Sequence, residues 1–268
     1  MRVISYGGGV QSTALCVLAT QNRIGNVDAA LFANVGEDSE HPETIRYVRE
    51  VMKPFLATRN LPIHLLDRIK RNGEVQTLYG QLVRPGSRSI PIPVRMDNGA
   101  PGRRNCTTDF KIKVIRKWLK QHGVTKTAPA TVLVGFSTDE FQRVNNRRPS
   151  DFEIPEHPLL DLHLSREDCK RVIERAGLPV PPKSACYFCP FHRPAQWAKL
   201  RRDEPELFQK SVELEQLLNK RREMLGKDHV YFTRFAKPLD KAIEAEQPGL
   251  NLDPALGDES CDDGYCWT

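Results

Sequence analysis

The chain has 268 residues, 39% of them hydrophobic and 28% charged, with a formal net charge of +6. A mean hydropathy of −0.50 and the lack of any apolar run near the ~20 residues of a membrane span exclude a membrane-embedded chain. They exclude a disordered one as well and leave an ordinary globular protein.

In chain order, Arg2 to Ser5 reads as a short apolar strand, Gly7-Gly8-Gly9 as a tight loop, and Gln11 to Arg23 as a helix stopped near Gly25. Ala29 to Val35 is a continuous apolar run, the pattern of a strand covered on both faces. Pro42 opens a helix with Ile45, Val48, Met52 and Phe55 on one side, which Pro54 is expected to kink or end. Ile63 to Ile69 is a third strand. Residues 72–105 are turn-rich and periodic in nothing, so a long loop is expected there. Thr108 to His122 is a helix stopped by Gly123, and Thr131 to Phe136 a further buried strand. Ser165 and Asp168 form a capping box for a helix ended by Gly177 and Pro179. Pro194 opens another helix, broken near Pro205, and 206–225 is a long charged one. Strands alternating with helices predict a parallel sheet with helices on both faces. The expected division is an α/β domain over 1–180 and a helical, cysteine-containing extension over 181–268.

The charge is unevenly spread. Residues 68–120 hold 13 Lys/Arg against 3 Asp/Glu, and 238–268 hold 1 Lys against 8 Asp/Glu. The basic block fits a nucleic-acid partner or a solvated face. The opening stretch MRVISYGGG has no apolar signal core, so a cytoplasmic protein is expected. Seven cysteines, an odd count without an export signal, argue against a disulfide scaffold. Cys16 and Cys169 sit among apolar helix residues and read as core thiols.

The sharpest motif is Ser5-Tyr-Gly-Gly-Gly-Val-Gln-Ser-Thr13 between a strand and a helix. Glycines let backbone approach a phosphate, consecutive N–H groups make an anion nest, and a helix N-terminus adds its positive end. Ser12 and Thr13 add hydroxyl donors. Neither the Walker spacing nor G-x-G-x-x-G is present. The alternative is a tight turn without ligand.

The loop resembles the S-G-G-x-D-S loop of the PP-loop superfamily, with Gly7 at the first Ser and Gln11 at the Asp. Asn34 to Thr44 (NVGEDSEHPET) is similar to the D-T-G…P-E-T segment of the phosphoadenosine phosphosulfate (PAPS) reductase family, with Asn34 at the Asp. Gly135 to Arg143 (GFSTDEFQR) resembles its G-x-x-x-x-E-x-x-R stretch, and Pro158-Leu-Leu-Asp161 its P-L-x-D/W element. The matches run in family order over roughly 1–200. The resemblance implies an adenine nucleotide α-hydrolase-like, Rossmann-like fold and an ATP-type ligand with Mg2+. It implies Gly7, Gly8, Gly9, Ser12 and Thr13 at the phosphates, Asn34 and Gly36 by the ribose or adenine, and Gly135 and Arg143 completing the site. Ser12, Gln11 and Arg143 are the catalytic candidates. A guanidinium also matches phosphate geometry on its own chemistry.

Cys186-Tyr-Phe-Cys189-Pro-Phe-His192 places two thiolates on a tight turn, able to bind one metal centre. Redox dithiols normally sit at a helix start after a strand, and here Pro181 and Pro182 precede. The stretch around Cys106 (RRNCTTDFK) resembles the first cluster-cysteine region of the family's iron–sulfur members. The resemblance implies a [4Fe-4S] cluster on Cys106, Cys186 and Cys189, the fourth position being exogenous or filled by Cys261 or Cys266. Zinc is the alternative, since C-x-x-C-x-x-H with a distant Cys suits a tetrahedral site. Glu259-Ser-Cys261 stands one residue off the reductase E-C-G-L-H tail, without the rest of that motif.

The expectation is an enzyme of sulfur transfer. It adenylates a tRNA or DNA substrate with pyrophosphate release, a sulfur donor protein serving as partner. One alternative is reduction of a small sulfonucleotide by a PAPS reductase. Another is a non-catalytic, zinc-stabilised nucleic-acid-binding module.

Overall fold

The computed structural model describes residues 1–144 and 150–243. Its helices are α1 (Val10–Thr20), α2 (Pro42–Arg46), α3 (Lys53–Ala57), α4 (Leu78–Val83), α5 (Lys113–Gln121), α6 (Pro158–Asp161), α7 (Arg166–Arg175), α8 (Pro194–Asp203), α9 (Pro205–Glu223) and α10 (Leu239–Ala242). The chain divides into two units. The first is Met1–Val75 with Thr107–Ala185, and the second is Gln76–Cys106 with residues 186–243. Segment 76–106, read from sequence within the first domain, thus groups with the cysteine-motif region. Among the described residues no helix is long and apolar enough to cross a membrane.

In the first unit, β1 (Arg2–Ser5), β2 (Ala29–Asn34), β3 (Ile63–Asp67), β4 (Ala130–Leu133) and β5 (Glu153–Glu156) form one all-parallel sheet ordered β3-β2-β1-β4-β5. The arrangement is α/β and Rossmann-like, as the alternation of strands and helices predicts. Adjacent strand residues point to opposite faces. Ile4, Phe32 and Leu133 pack with Leu15 and Leu18 of α1, Val48 and Met52, and Ile173 of α7. Their neighbours Val3, Leu31 and Val132 pack with Ile112, Ile115 and Leu119 on the α5 side. Both faces are covered, which is why β2 carries no polar alternation. Cys16 and Cys169 are fully buried core thiols, as expected, and burial pushes the Cys16 thiol up.

The chain lays β2 and β3 on one side of β1, then crosses to place β4 on the other. The strand order reverses between β1 and β4, where open parallel sheets leave a ligand crevice at their carboxyl ends.

Two local readings change and one strand is added. The helix from Pro42 runs on to Ala57, past Pro54, by way of a π-helical stretch over Tyr47–Met52. The wider π ladder absorbs the hydrogen bond that proline cannot make. Strand β5 carries Pro155, which a sheet tolerates at its edge. Within 72–105, Thr77 accepts the Gly80 N–H at 2.9 Å and caps α4, whose buried face is Leu78 and Leu82. A six-residue helix is too short to declare a period.

The second unit centres on Trp197, fully buried, with the rings of Phe208 and Phe232 both 6.3 Å away. Arg221 of α9 donates to the Val83 carbonyl at 2.6 Å, which ties α4 to α9. Glu215 of α9 is buried and accepts the N–H groups of Phe232 (2.6 Å) and Leu239 (2.7 Å).

Candidate functional site

The glycine loop leaves β1 at Tyr6 and enters α1 at Gly9, where no side chain caps the helix. The first-turn N–H groups therefore keep their positive end. Gly8 has φ +81°, and a Cβ there would stand 2.9 Å from the Thr44 methyl and 3.3 Å from the Phe32 ring. Conformation and space both demand glycine at that position.

The loop is braced from within. Ser12 Oγ accepts the Gly7 N–H and donates to the Gly9 carbonyl, both at 3.2 Å. Thr13 Oγ1 lies 3.3 Å from the Tyr6 hydroxyl. Ser184 Oγ donates to the Gly7 carbonyl at 2.6 Å. The hydroxyls of Ser12 and Thr13, read from sequence as phosphate donors, here hold the loop in shape.

Gly135 follows β4 and meets the same turn. A Cβ on it would stand 3.0 Å from Ser12 N and 3.1 Å from the Gln11 carbonyl carbon. Gln11 Nε2 donates to Glu140 Oε2 at 3.1 Å, and Gln11 Oε1 accepts from Arg166 Nη1 at 3.0 Å. Arg143 pairs with Glu140 and lies over the Phe136 ring, 4.9 Å from its centroid. Four expected site residues, Gln11, Ser12, Gly135 and Arg143, thus converge on the switch point. Glu140 and Arg166 hold them together and were absent from the expected set. Glu140 had a signal, being the Glu of GFSTDEFQR. Arg166 had none, because its partner is 155 positions away.

At the end of β2, Asn34 Nδ2 donates to Asp67 at 2.8 Å while its Oδ1 accepts the Gly36 N–H at 3.0 Å. Gly36 turns the chain at φ +119°. Asn34 is thereby a turn-holding residue. Glu40, further along this loop, is buried. Burial raises its pKa, opposed by Lys111, His41 and the Ser184 hydroxyl.

Between these loops runs a closed seam, too tight to admit a water molecule, lined by Ser5, Tyr6, Gly7, Phe32, Ala33 and Lys111. Ser5 Oγ is buried there with no hydrogen-bond partner among the described residues. An orphaned buried hydroxyl costs about 1–3 kcal/mol. Ser5 opens the glycine-loop motif and Lys111 closes the stretch around Cys106, but the motif reading gave neither a role.

The basic block splits between the units. In the first unit, many of its cations are already engaged. Lys113 pairs with Asp109 at 2.6 Å, and Arg116 pairs with the fully buried Glu153 at 2.7 Å. Lys120 lies 4.0 Å from the Phe152 ring centroid, and Arg68 lies over Phe110 at 4.5 Å. Arg84, Arg88 and Arg103 of the second unit and Lys117 of the first stay exposed.

Cys106, Cys186 and Cys189 all belong to the second unit, although eighty positions separate the first from the others. None is in a disulfide. The Cys189 N–H donates to the Cys186 carbonyl at 3.1 Å, which makes the expected tight turn. Arg104, two residues before Cys106, lies 5.1 Å from the Phe191 ring centroid, beside that turn. His192 Nε2 is 2.9 Å from the Cys186 carbonyl, so that nitrogen is committed to the backbone. By type, three thiols in one unit suit a soft metal or cluster. Among the described residues no three His, Cys, Asp or Glu close up into a metal-ion site. Cys261 and Cys266 lie outside the described residues. The chain matches no protein-family model, no curated protein and no solved structure.

Proposed function

We propose that this chain is a PP-loop enzyme similar to the PAPS reductases, with the finer fold of an adenine nucleotide α-hydrolase. It binds ATP or a related adenine nucleotide and transfers sulfur. The observation that carries this reading is the meeting of Gly135 with Gln11 and Ser12, at the end of an uncapped helix N-terminus and at the sheet's switch point. Backbone amides and a helix end suit phosphates.

In the favoured reaction an oxygen of a tRNA or DNA substrate attacks the α-phosphorus of ATP. The bond to the pyrophosphate oxygen breaks, and pyrophosphate leaves. Sulfide-level sulfur delivered by a donor protein then attacks the activated substrate atom, forming a bond to sulfur as the bond to the AMP oxygen breaks and AMP leaves, with no net change of oxidation state. The first-turn amides of α1 stabilise the leaving phosphates, with Mg2+ sharing their charge. Gln11 is positioned by Glu140 and Arg166, and Arg143 acts through Glu140. Cys106, Cys186 and Cys189 are the residues that would hold a [4Fe-4S] cluster, which when bound would supply an iron able to carry sulfur; among the described residues they do not close up around a single zinc ion. A cytoplasmic setting goes with this chemistry. The second reading, a PAPS reductase acting on a small sulfonucleotide, is favoured by the internal pairing of Lys113 and Arg116, which reduces the charge open to a polyanion.

The test is ATP-dependent pyrophosphate release with tRNA or DNA by anaerobically purified protein, run beside sulfite release from PAPS with a thiol donor. The absorbance spectrum and iron, sulfide and zinc contents of the same sample decide the metal. Release of neither product and no bound nucleotide would overturn the enzyme reading.

A further inference from the structure

We propose that Arg95 and Arg104, which both lie over the Phe191 ring, form with Arg234 of the segment bridged to Arg95 a binding site for a phosphate oxyanion beside the C-x-x-C turn. All four residues belong to the second unit. The guanidinium of Arg95 lies 5.4 Å from the Phe191 ring centroid and that of Arg104 lies 5.1 Å from it. Arg95 is within electrostatic range of both Arg234 and Cys189.

Backbone holds this gathering in place. Arg95 N–H donates to the Tyr231 carbonyl at 2.7 Å and Tyr231 N–H to the Arg95 carbonyl at 2.8 Å. That bridge fixes Arg95 against the segment that carries Arg234. Gly102 N–H donates to the Val94 carbonyl at 2.7 Å, closing the loop that leads to Arg104.

The charge is uncompensated. Among the described residues none of the three arginines is in an ion pair. Asp97, in the same loop, bonds the Tyr231 hydroxyl instead. Arg95 Nε is buried with no partner, and the nearest acceptor recorded for that side chain is the Gly99 carbonyl, 3.5 Å from Nη1. Like charges held together repel, and an anion relieves the repulsion. A guanidinium fork fits the oxygens of a phosphate. The site would bring that phosphate next to a cysteine of the C-x-x-C turn. The phosphate could belong to a nucleic-acid backbone or to a free nucleotide. Only the choice of a strand as the main probe rests on the reading in the preceding section.

The experiment measures two affinities on the full chain. One is for a fluorescein-labelled single-stranded RNA, with its DNA counterpart, by anisotropy across a salt series. The other is for ATP by calorimetry. Arg95→Gln, Arg104→Gln and Arg234→Gln are each expected to weaken strand binding by about tenfold at low salt. Each should flatten the log–log salt slope by about 0.7 and leave ATP affinity unchanged. Arg234 is exposed, so its variant folds whatever the role of the others. Phe191→Leu, which keeps all three charges, is expected to weaken strand binding while the slope stays as in wild type. If the arginine variants lose ATP affinity instead, the site stands with a nucleotide phosphate as its occupant. If all three bind strand and ATP as wild type does, or wild type binds no strand and the variants bind ATP normally, the proposal is overturned. Failure of wild type itself to bind ATP strikes the glycine-loop reading and leaves the strand measurement to decide this one.

Discussion

The α-carbon of Gly135 sits so close to Ser12 that a methyl group added to it would lie 3.0 Å from the Ser12 amide nitrogen. A residue just past β4 and one in the first turn of α1 share one wall. That wall is backbone and cannot swing aside like the tip of a long side chain. Gly135→Ala is therefore expected to lower stability by about 1–3 kcal/mol, the scale of overpacking, and to weaken ATP binding more than stability. Thermal melts and calorimetric titration of the same sample separate the two effects.

Gly8 makes a second, separable test. Gly8→Ala adds a clash with the Thr44 methyl at 2.9 Å and the penalty of φ +81° for an L-residue. The conformational part alone is about 1–2 kcal/mol. Thr44→Ser removes the methyl that clashes. The double variant Gly8→Ala with Thr44→Ser is expected to recover part of the loss, never all of it. Full recovery in denaturant melts would show that Gly8 is there for space alone.

Arg116 belongs to the basic block by sequence, yet its partner is the fully buried Glu153, held by bonds of 2.7 and 3.2 Å. Arg116→Ala removes the recorded ion pair of a buried carboxylate and is expected to cost about 3 kcal/mol of stability. Arg84 and Arg88 are exposed. Changing both to Ala should leave the melting temperature unchanged within about 1 °C and flatten the salt dependence of strand binding by about 1–2 in log–log slope. Equal melts for the two sets of variants would contradict this division of the block.

Glu215 sets a pH dependence. Burial pushes its pKa up to about 7, against the two backbone N–H groups that favour its charged form. A carboxyl raised in the folded state holds its proton there while the unfolded chain has lost it. Stability should therefore fall as pH rises from about 4.5 to about 7, by about 3 kcal/mol, and then level off. Glu215→Gln is expected to flatten that window in urea melts and to be less stable at low pH, since one acceptor oxygen is gone. An unchanged profile in the variant would move the titration elsewhere.

Much of the sheet was legible because both its faces are covered, so β1, β2 and β4 read as plain apolar runs. The capping box at Ser165 and Asp168 was equally local, and the structure shows both of its bonds. What stayed hidden depended on distance or brevity. Strand β5 hides behind Pro155, and α4 is too short for a period. The grouping of Cys106 with the C-x-x-C turn rests on family likeness in sequence, and the structure places all three in one unit. The glycine loop announced itself, while the contacts its hydroxyls make within the loop were not legible from local sequence. Ser12 and Thr13 sit where donors to phosphate are expected and spend their bonds inside the loop. Arg166 could not be seen at all, since nothing near it in sequence points to Gln11.

Titration of MgATP into the full, metal-loaded chain by calorimetry tests the central claim most directly. The expected result is saturable binding at one site, abolished or strongly weakened in Gly8→Ala and Gly135→Ala and preserved in Arg234→Gln. Absence of binding by the folded wild-type protein, or binding that survives both glycine substitutions intact, would contradict it.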